Sequence, residues 1–293
     1  MSPVSVMPAT CATATNFRES RKEQQDRRVQ PLRHWLCSFR KKRILTMGRK
    51  AIVLGASSGM GRLVAIQLLR DGWTVGVAAR RTDALKTIDA GNGNKPVIAQ
   101  IDITNDDAAH RLHDLIERLG GIDLYFHSSG VGKVNPLLEP ETELQTVATN
   151  ALGFTRMVGE AFRWMASHGG GHIAVISSIA GVKGLGPAPS YSATKAFDNT
   201  YIQALEQLAN SRHLDIRFTD IRPGFVDTAL ISGSHFPMTM RPEFVARHIV
   251  KAVYNRRHIV VIDWRWRILV ALWRLVPNFI WRHLTLISPP KCH

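Results

Sequence analysis

From residue 50 onward the chain repeats one pattern, and that pattern leaves few folds open. Short apolar runs of strand length fall at 51–54, 74–79, 97–101, 124–127, 173–176, 216–221 and 259–262. Helical patterns lie between most of them, at 62–70, 110–119, 142–166 and 244–253. In the first of these Leu63, Ile66 and Leu69 form the predicted inward stripe. Strands that alternate with helices predict an α/β fold, a doubly wound, mostly parallel sheet with helices on both faces. Ligands of such sheets bind beyond the carboxyl ends of the strands.

The segment after the first strand, Gly55-Ala56-Ser57-Ser58-Gly59-Met60-Gly61, sits at such an end. Gly55 suits the tight turn out of the strand, Gly59 lets backbone N–H groups approach a pyrophosphate, and Gly61 lets the helix pack closely. The helix then directs its positive end toward the phosphates. A tight structural turn is the plainer reading of three glycines. The second strand ends in Arg80-Arg81, where an acid would bind the ribose 2′-hydroxyl of NAD and a guanidinium the 2′-phosphate of NADP. Two arginines and no acid favour NADP(H) over NAD(H), although paired arginines at a strand end are also common as solvated charges. Asp102 and Ile103, ending the third strand, are candidates for the adenine edge; an ordinary turn aspartate is the alternative.

Tyr191 and Lys195 stand four residues apart in Tyr191-Ser192-Ala193-Thr194-Lys195, which places phenol and ammonium on one helical face. A phenol with a pKa near 10 needs a shift of about 3 units, roughly 4 kcal/mol, to act as an acid near neutrality. A cation about 4 Å away at an effective dielectric of about 20 supplies roughly that. A surface helix carrying both residues by chance is the competing explanation.

Charge and cysteines describe the ends of the chain. Of a formal net charge of +15, residues 1–47 carry ten Lys/Arg against three acids and residues 263–293 five against one, leaving only +4 between them. A nucleic-acid partner, suggested by the total, is therefore not expected. The three cysteines, Cys11, Cys37 and Cys292, also lie at the ends, so the middle has no disulfide framework or Cys-based metal site. A reducing, cytoplasmic compartment follows as the simpler expectation. Residues 1–46 are arginine-rich and aperiodic, and read as a disordered or extraneous extension before Met47, which precedes the first strand directly. Activity is expected to survive their removal. Residues 47–263 form one domain. Residues 264–293 begin with a Trp/Arg-rich amphipathic stretch, suited to peripheral membrane contact through 264–282. A helix closing the substrate pocket or a subunit contact is the equal alternative.

With the glycine loop, Asn150, Ser178, Tyr191, Lys195 and Pro223-Gly224 in order along 48–263, the chain resembles the short-chain dehydrogenase/reductase family. That resemblance implies a Rossmann-type sheet of about seven strands, NAD(P)-dependent carbonyl or alcohol chemistry, and a homodimer or homotetramer. By position, Tyr191 resembles the catalytic acid/base, and Lys195 the residue that lowers its pKa and holds the nicotinamide ribose. Ser178, thirteen residues before Tyr191, resembles the hydrogen-bond partner of the substrate oxygen, and Asn150 the residue that seats a water in the proton relay. Pro223, Gly224, Val226 and Thr228 resemble the nicotinamide carboxamide wall, and Gly130 closes the turn after the fourth strand. The chain departs from the family pattern at Leu54, usually threonine, and at His127-Ser128-Ser129-Gly130, where Ser128 replaces an amide that ties strands together. His127 reads as a structural histidine. Apolar residues in the pocket-wall loops (Val134, Leu137, Leu185, Phe225, Phe236, Met238 and Met240) favour an apolar carbonyl or alcohol substrate. A dinucleotide-binding regulatory protein without turnover is the alternative class, though it would have no need of a proton donor.

Overall fold

The computed structural model of the chain describes residues 48–228 and 237–285. Seven strands, β1 (Lys50–Leu54), β2 (Thr74–Ala79), β3 (Val97–Gln100), β4 (Leu124–His127), β5 (Gly171–Ile176), β6 (Ile216–Arg222) and β7 (Ile259–Val261), form one sheet in the order β3-β2-β1-β4-β5-β6-β7. Every neighbouring pair runs parallel. Each apolar run of the sequence is one of these strands, so the doubly wound sheet expected from the alternation is the one observed. Between and after the strands come α1 (Gly59–Arg70), α2 (Asp83–Lys86), α3 (Ala108–Leu119), α4 (Pro140–Val147), α5 (Phe154–Ser167), α6 (Pro189–Ser211), α7 (Pro242–Tyr254), α8 (Trp264–Leu275) and α9 (Asn278–Trp281).

Side chains alternate across a strand, and both faces of this sheet are covered. Ala51, Val53, Val75, Val77, Phe126 and Ala174 join one core layer with Val64 and Leu68 of α1 and Val245 and Ile249 of α7. Ile52, Leu54, Tyr125, Ile173 and Val175 join the other with α3, α5 and α6. Trp266 and Val270 of α8 belong to the first layer.

Two local expectations are corrected. The inward stripe of α1 is Val64, Ala65, Leu68 and Leu69, with Leu63 and Ile66 half-buried at its margin. The stretch at 142–166 is not one α-helix, because a π-helical turn at Ala148–Gly153 separates α4 from α5. A Cβ on Gly153 would lie 2.7 Å from Ile103 Cγ1, so the widened turn presses against the end of β3.

The chain runs from β1 outward to β3, crosses back to β4 beside β1, and continues to β7. The carboxyl ends of β1 and β4 therefore flank the crevice at which ligands of this architecture bind.

Candidate active site

The turns after β1 and β4 meet closely at that crevice. Gly55 has φ +83°, and a Cβ on it would lie 2.6 Å from the Ser129 nitrogen, so glycine is required on both counts. A Cβ on Gly61, in the first turn of α1, would strike the Gly55 carbonyl. The helix start is thereby drawn onto the loop, and its unpaired amide groups and positive dipole end open on the crevice. Ser57 is half-buried, Ser58 is the exposed residue preceding the helix, and Met60 packs partly against the core. Gly59 lies 3.7 Å from Thr228 when a Cβ is built on it, which brings the segment after β6 to the same loop.

The Ala78 carbonyl accepts from the amides of Gly55 and Ala56 at 2.8 and 3.3 Å, which locks the end of β2 to the loop. Arg80 and Arg81 follow immediately, both exposed, and neither guanidinium has an ion-pair partner among the described residues. Asp102 Oδ1 accepts from the Thr104 amide at 3.0 Å and from its hydroxyl at 2.7 Å, closing a turn. Ile103 is core, and its carbonyl accepts from Arg156 at 2.8 Å.

On the other side of the crevice stands α6. Its first turn is held by Glu143 of α4, whose carboxylate accepts from the Ser190 amide at 3.2 Å and from Asn135 Nδ2 at 2.8 Å. The Tyr191 ring lies against Gly132, where a Cβ would be 2.8 Å away. Asn150, in the π-helical turn, grips Val131: its Oδ1 accepts from the Val131 amide at 2.9 Å and its Nδ2 donates to the Val131 carbonyl at 2.7 Å. Nδ2 also reaches Thr194 Oγ1 at 3.3 Å. Its amide is thus occupied by structure. Ser178 follows β5, and its Oγ accepts from the Ala180 amide at 3.1 Å, which leaves its hydroxyl proton to donate elsewhere. Ser177 turns the other way and donates to Asp220.

Lys195 is buried and donates to the Ile176 carbonyl at 3.2 Å and to Asp198 Oδ2 at 2.9 Å. A Cβ on Gly130 would lie 3.7 Å from its Nζ and 3.5 Å from Asn150 Oδ1. Burial works against the charged lysine, and attraction to Asp198, then to Tyr191 and Asp220, outweighs it, so the ammonium is held above the ordinary lysine value. Burial raises the Asp198 carboxyl, and Lys195 opposes that rise. His127 is buried with its Nδ1 2.9 Å from the Tyr125 hydroxyl and its ring edge-on to Phe154. Burial, then the Lys195 charge, lowers its pKa to about 3, so it is a neutral packing residue. The cross-strand tie near Ser128 is made by main chain, its amide donating to the Leu54 carbonyl at 2.9 Å.

Pro223 and Gly224 follow β6, where Gly224 packs so tightly on the Trp266 ring that a Cβ would overlap it. Val226 pairs with Met240 in an isolated bridge. Met240 is core, whereas Val134 and Leu137 are exposed on the loop after β4. Phe236 lies outside the described residues.

Sequence reasoning missed Asp198, Glu143, Gly132 and the contact of Trp266 with Gly224. Asp198 stands three residues after Lys195, a helical pair legible in principle. Its burial, and the contacts of the other three, depend on packing between elements distant in sequence.

A parallel sheet with a glycine loop at its switch point, and Tyr191 and Lys195 packed against the adjoining segment 130–132, is the architecture of a nicotinamide-dinucleotide oxidoreductase. Residues 49–235 match the family described as short chain dehydrogenase. The chain belongs to that family and is an NAD(P)-dependent oxidoreductase. It is 32% identical over 240 residues to an uncharacterized oxidoreductase of Myxococcus xanthus, covering 78% of this chain and 93% of the relative. It is 30% identical to the glycine betaine reductase ATRR of Emericella nidulans over 73% of this chain, though over only 18% of that longer protein. A crystal structure of a short-chain type dehydrogenase/reductase from Mycobacterium marinum superposes with a TM-score of 0.66 at 27% identity, covering 74% of this chain and 94% of the other.

Proposed function

We propose that the protein is an NADP(H)-dependent reductase or dehydrogenase that interconverts an apolar carbonyl compound and its alcohol. One observation carries this reading. The short backbone segment 128–132 touches the glycine loop at one end, and Lys195, Asn150 and the Tyr191 ring at the other. Cofactor loop and proton-handling side chains therefore share one wall of the crevice.

The cradle suits a dinucleotide, since a side chain on Gly55 or Gly61 would strike the Ser129 or Gly55 backbone and force the loop and the helix start apart. Gly55, Ser57, Ser58, Gly59, Met60 and Gly61 would hold the pyrophosphate, and the unpaired Arg80 and Arg81 a 2′-phosphate. Asp102 and Ile103 would border the adenine, and Gly130, Asn150, Tyr191 and Lys195 the nicotinamide ribose. Pro223, Gly224, Val226 and Thr228 would line the carboxamide. The bound nicotinamide supplies or accepts the hydride. Tyr191 gives its hydroxyl proton to the substrate oxygen in reduction and takes it back in oxidation. Lys195 places a fixed cation beside the phenolate so formed, and Ser178 donates its free O–H to the same oxygen. The Asn150 turn seats the water that returns the proton.

The catalytic domain spans residues 47–263, with 264–293 as a C-terminal segment and 1–46 outside it. Exposed Leu144, Val147 and Leu152, with Phe197 of α6, support a homodimer or homotetramer through the α4 to α6 face. Val134, Leu137 and Leu185 support an apolar substrate. We place the protein in the cytoplasm, peripheral to a membrane through residues 264–282. No helix among the described residues is long and apolar enough to cross one.

The test is a panel of ketones, aldehydes and alcohols with NADPH or NADH, read by nicotinamide absorbance. NADPH should serve better at equal concentration. Tyr191→Phe should bind NADPH as the parent does and lose turnover by about 100-fold or more. Preference for NADH, or substantial turnover by the phenylalanine variant, would refute the corresponding assignment.

A further inference from the structure

The helix α8 has two apolar faces, and only one of them is covered. Trp266, Val270 and Trp273, spaced i, i+4, i+7, turn inward, and Trp266 meets Gly224 and Phe225. The opposite stripe is Trp264, Ile268, Leu272 and Leu275, exposed by 65, 53, 61 and 76%. Arg267 and Arg274, seven residues apart, border that stripe on one side and Arg265 on the other. Arg265 is paired with Asp263, the sole acid of residues 263–285, at 2.6 Å. Arg267, Arg274 and Arg282 have no ion-pair partner among the described residues. Phe279 and Ile280 of α9 extend the exposed apolar surface. A cleft of about 520 Å³ opens beside the start of α8, lined by Phe244, His248, Asp263, Trp264, Arg265 and Arg267.

We propose that this outer face of α8 and α9 docks on an anionic membrane surface, with the apolar stripe in the interface and the arginines against lipid headgroups. Charge decides between occupants. A second copy seated on the same face would bring unpaired arginines against arginines with no acid to offset them, whereas the uncharged leucines of the α4 to α6 face carry no such penalty. A convex helix ridge of large apolar side chains flanked by cations needs no shaped partner, and a lipid interface supplies anions and hydrocarbon together. The cleft beside Trp264, where Asp263 is neutralised by Arg265 and Arg267 adds a further cation, has room for a phosphate headgroup.

The docking face also reaches the substrate side of the molecule. Trp281 Nε1 donates to the Gly184 carbonyl at 2.7 Å, and Lys183 Nζ to Asn278 Oδ1 at 2.9 Å. The Asn135 amide in turn donates to the Pro187 carbonyl at 2.8 Å, linking that loop to the one bearing exposed Val134, Leu137 and Leu138. Resting on the proposed carbonyl or alcohol chemistry, this geometry assigns a substrate dissolved in the bilayer, an apolar ketone, aldehyde or alcohol, drawn in along loop 183–188.

Sedimentation of the full chain with vesicles tests the docking without substrate or cofactor, so it stands or falls independently of the enzymatic reading. Vesicles of mixed phosphatidylglycerol and phosphatidylcholine should bind the protein about ten-fold or more tightly than phosphatidylcholine alone, and added salt should reduce the difference. Arg267→Gln/Arg274→Gln should lose most of that preference. Ile268→Ser/Leu272→Ser, at exposed positions and with unchanged circular dichroism, should lose binding to both vesicle types. Equal binding by either variant and the parent, or no vesicle binding by the parent, would overturn the proposal. A stripe variant that instead lowers the oligomeric state would assign the face to a second copy and overturn it equally. If docking holds, bilayer-borne long-chain alcohols should be turned over faster than short-chain ones on vesicles, and failure of that arm alone would overturn only the substrate assignment.

Discussion

The residue that most changes the picture of the site is Asp198. Lysine in a helix facing a tyrosine is the familiar pair, but here the ammonium is also bound to a buried carboxylate three residues on, with Asp198 Oδ1 left without a partner. Two of its three protons are thus engaged within the protein, toward Asp198 and Ile176. The third has no partner among the described residues and is left for the proposed ribose and phenolate. Removing one member of a buried pair leaves the other charged and unsolvated, at a cost of about 3–5 kcal/mol. Asp198→Asn should therefore lower the unfolding free energy by an amount in that range. Asp198→Leu/Lys195→Met should recover most of the loss while remaining inactive. Equal destabilisation of the single and double variants in denaturant titrations would show that the ion pair is not the cause.

At the scale of elements, the consequential contact joins α8 to the loop after β6. Gly224 lies under the indole of Trp266, and Phe225 meets the same indole edge-on at 5.6 Å between centroids. The C-terminal stretch, for which sequence alone left pocket closure and membrane contact as alternatives, packs one face on the loop after β6 and leaves the other exposed. Gly224→Ala has no backbone penalty to meet, since Gly224 is not in the left-handed region, so its effect reports the clash alone. Overpacking of this kind costs about 1–3 kcal/mol. The variant should unfold at a lower temperature by a corresponding amount, and Trp266→Leu on the same background should restore part of it. No loss in Gly224→Ala would show that α8 is not packed on this loop.

For the molecule as a whole, two buried histidines set the response to acid. His127 and His172 have folded-state pKa values lowered from 6.5 to about 3 and about 4, burial being the main cause in each. Below pH 6.5 the unfolded chain binds protons that the folded one refuses. Stability is therefore full above that value and falls as pH drops toward 4 and then 3. Each histidine should cost about 2 kcal/mol by pH 5. His127→Gln should flatten the decline between pH 6.5 and 5 by roughly half, measured as urea unfolding against pH. An unchanged slope would remove His127 from the account.

The sequence by itself determined the layers of the sheet and the types of residue at its switch point, because short continuous apolar runs, glycine spacing and the Tyr191/Lys195 interval are local properties. Gly55 and Gly61 were readable as a phosphate loop, and the structure adds that Ser129 and the Gly55 carbonyl are what exclude a side chain from each. Arg80 and Arg81 were readable as 2′-phosphate candidates from their place at the end of the second strand, and the structure adds that the Ala78 carbonyl ties that strand end to the Gly55 turn. The break at Ala148–Gly153 was not legible, since the pressure of Ile103 on Gly153 comes from a strand end far away in sequence. Tertiary structure alone decided that Asn150 uses its amide on Val131, that Asp198 shares the lysine, and that α8 keeps one apolar face covered and the other open. Each depends on which side chains burial brings together, and burial is a property of packed elements that no single segment carries.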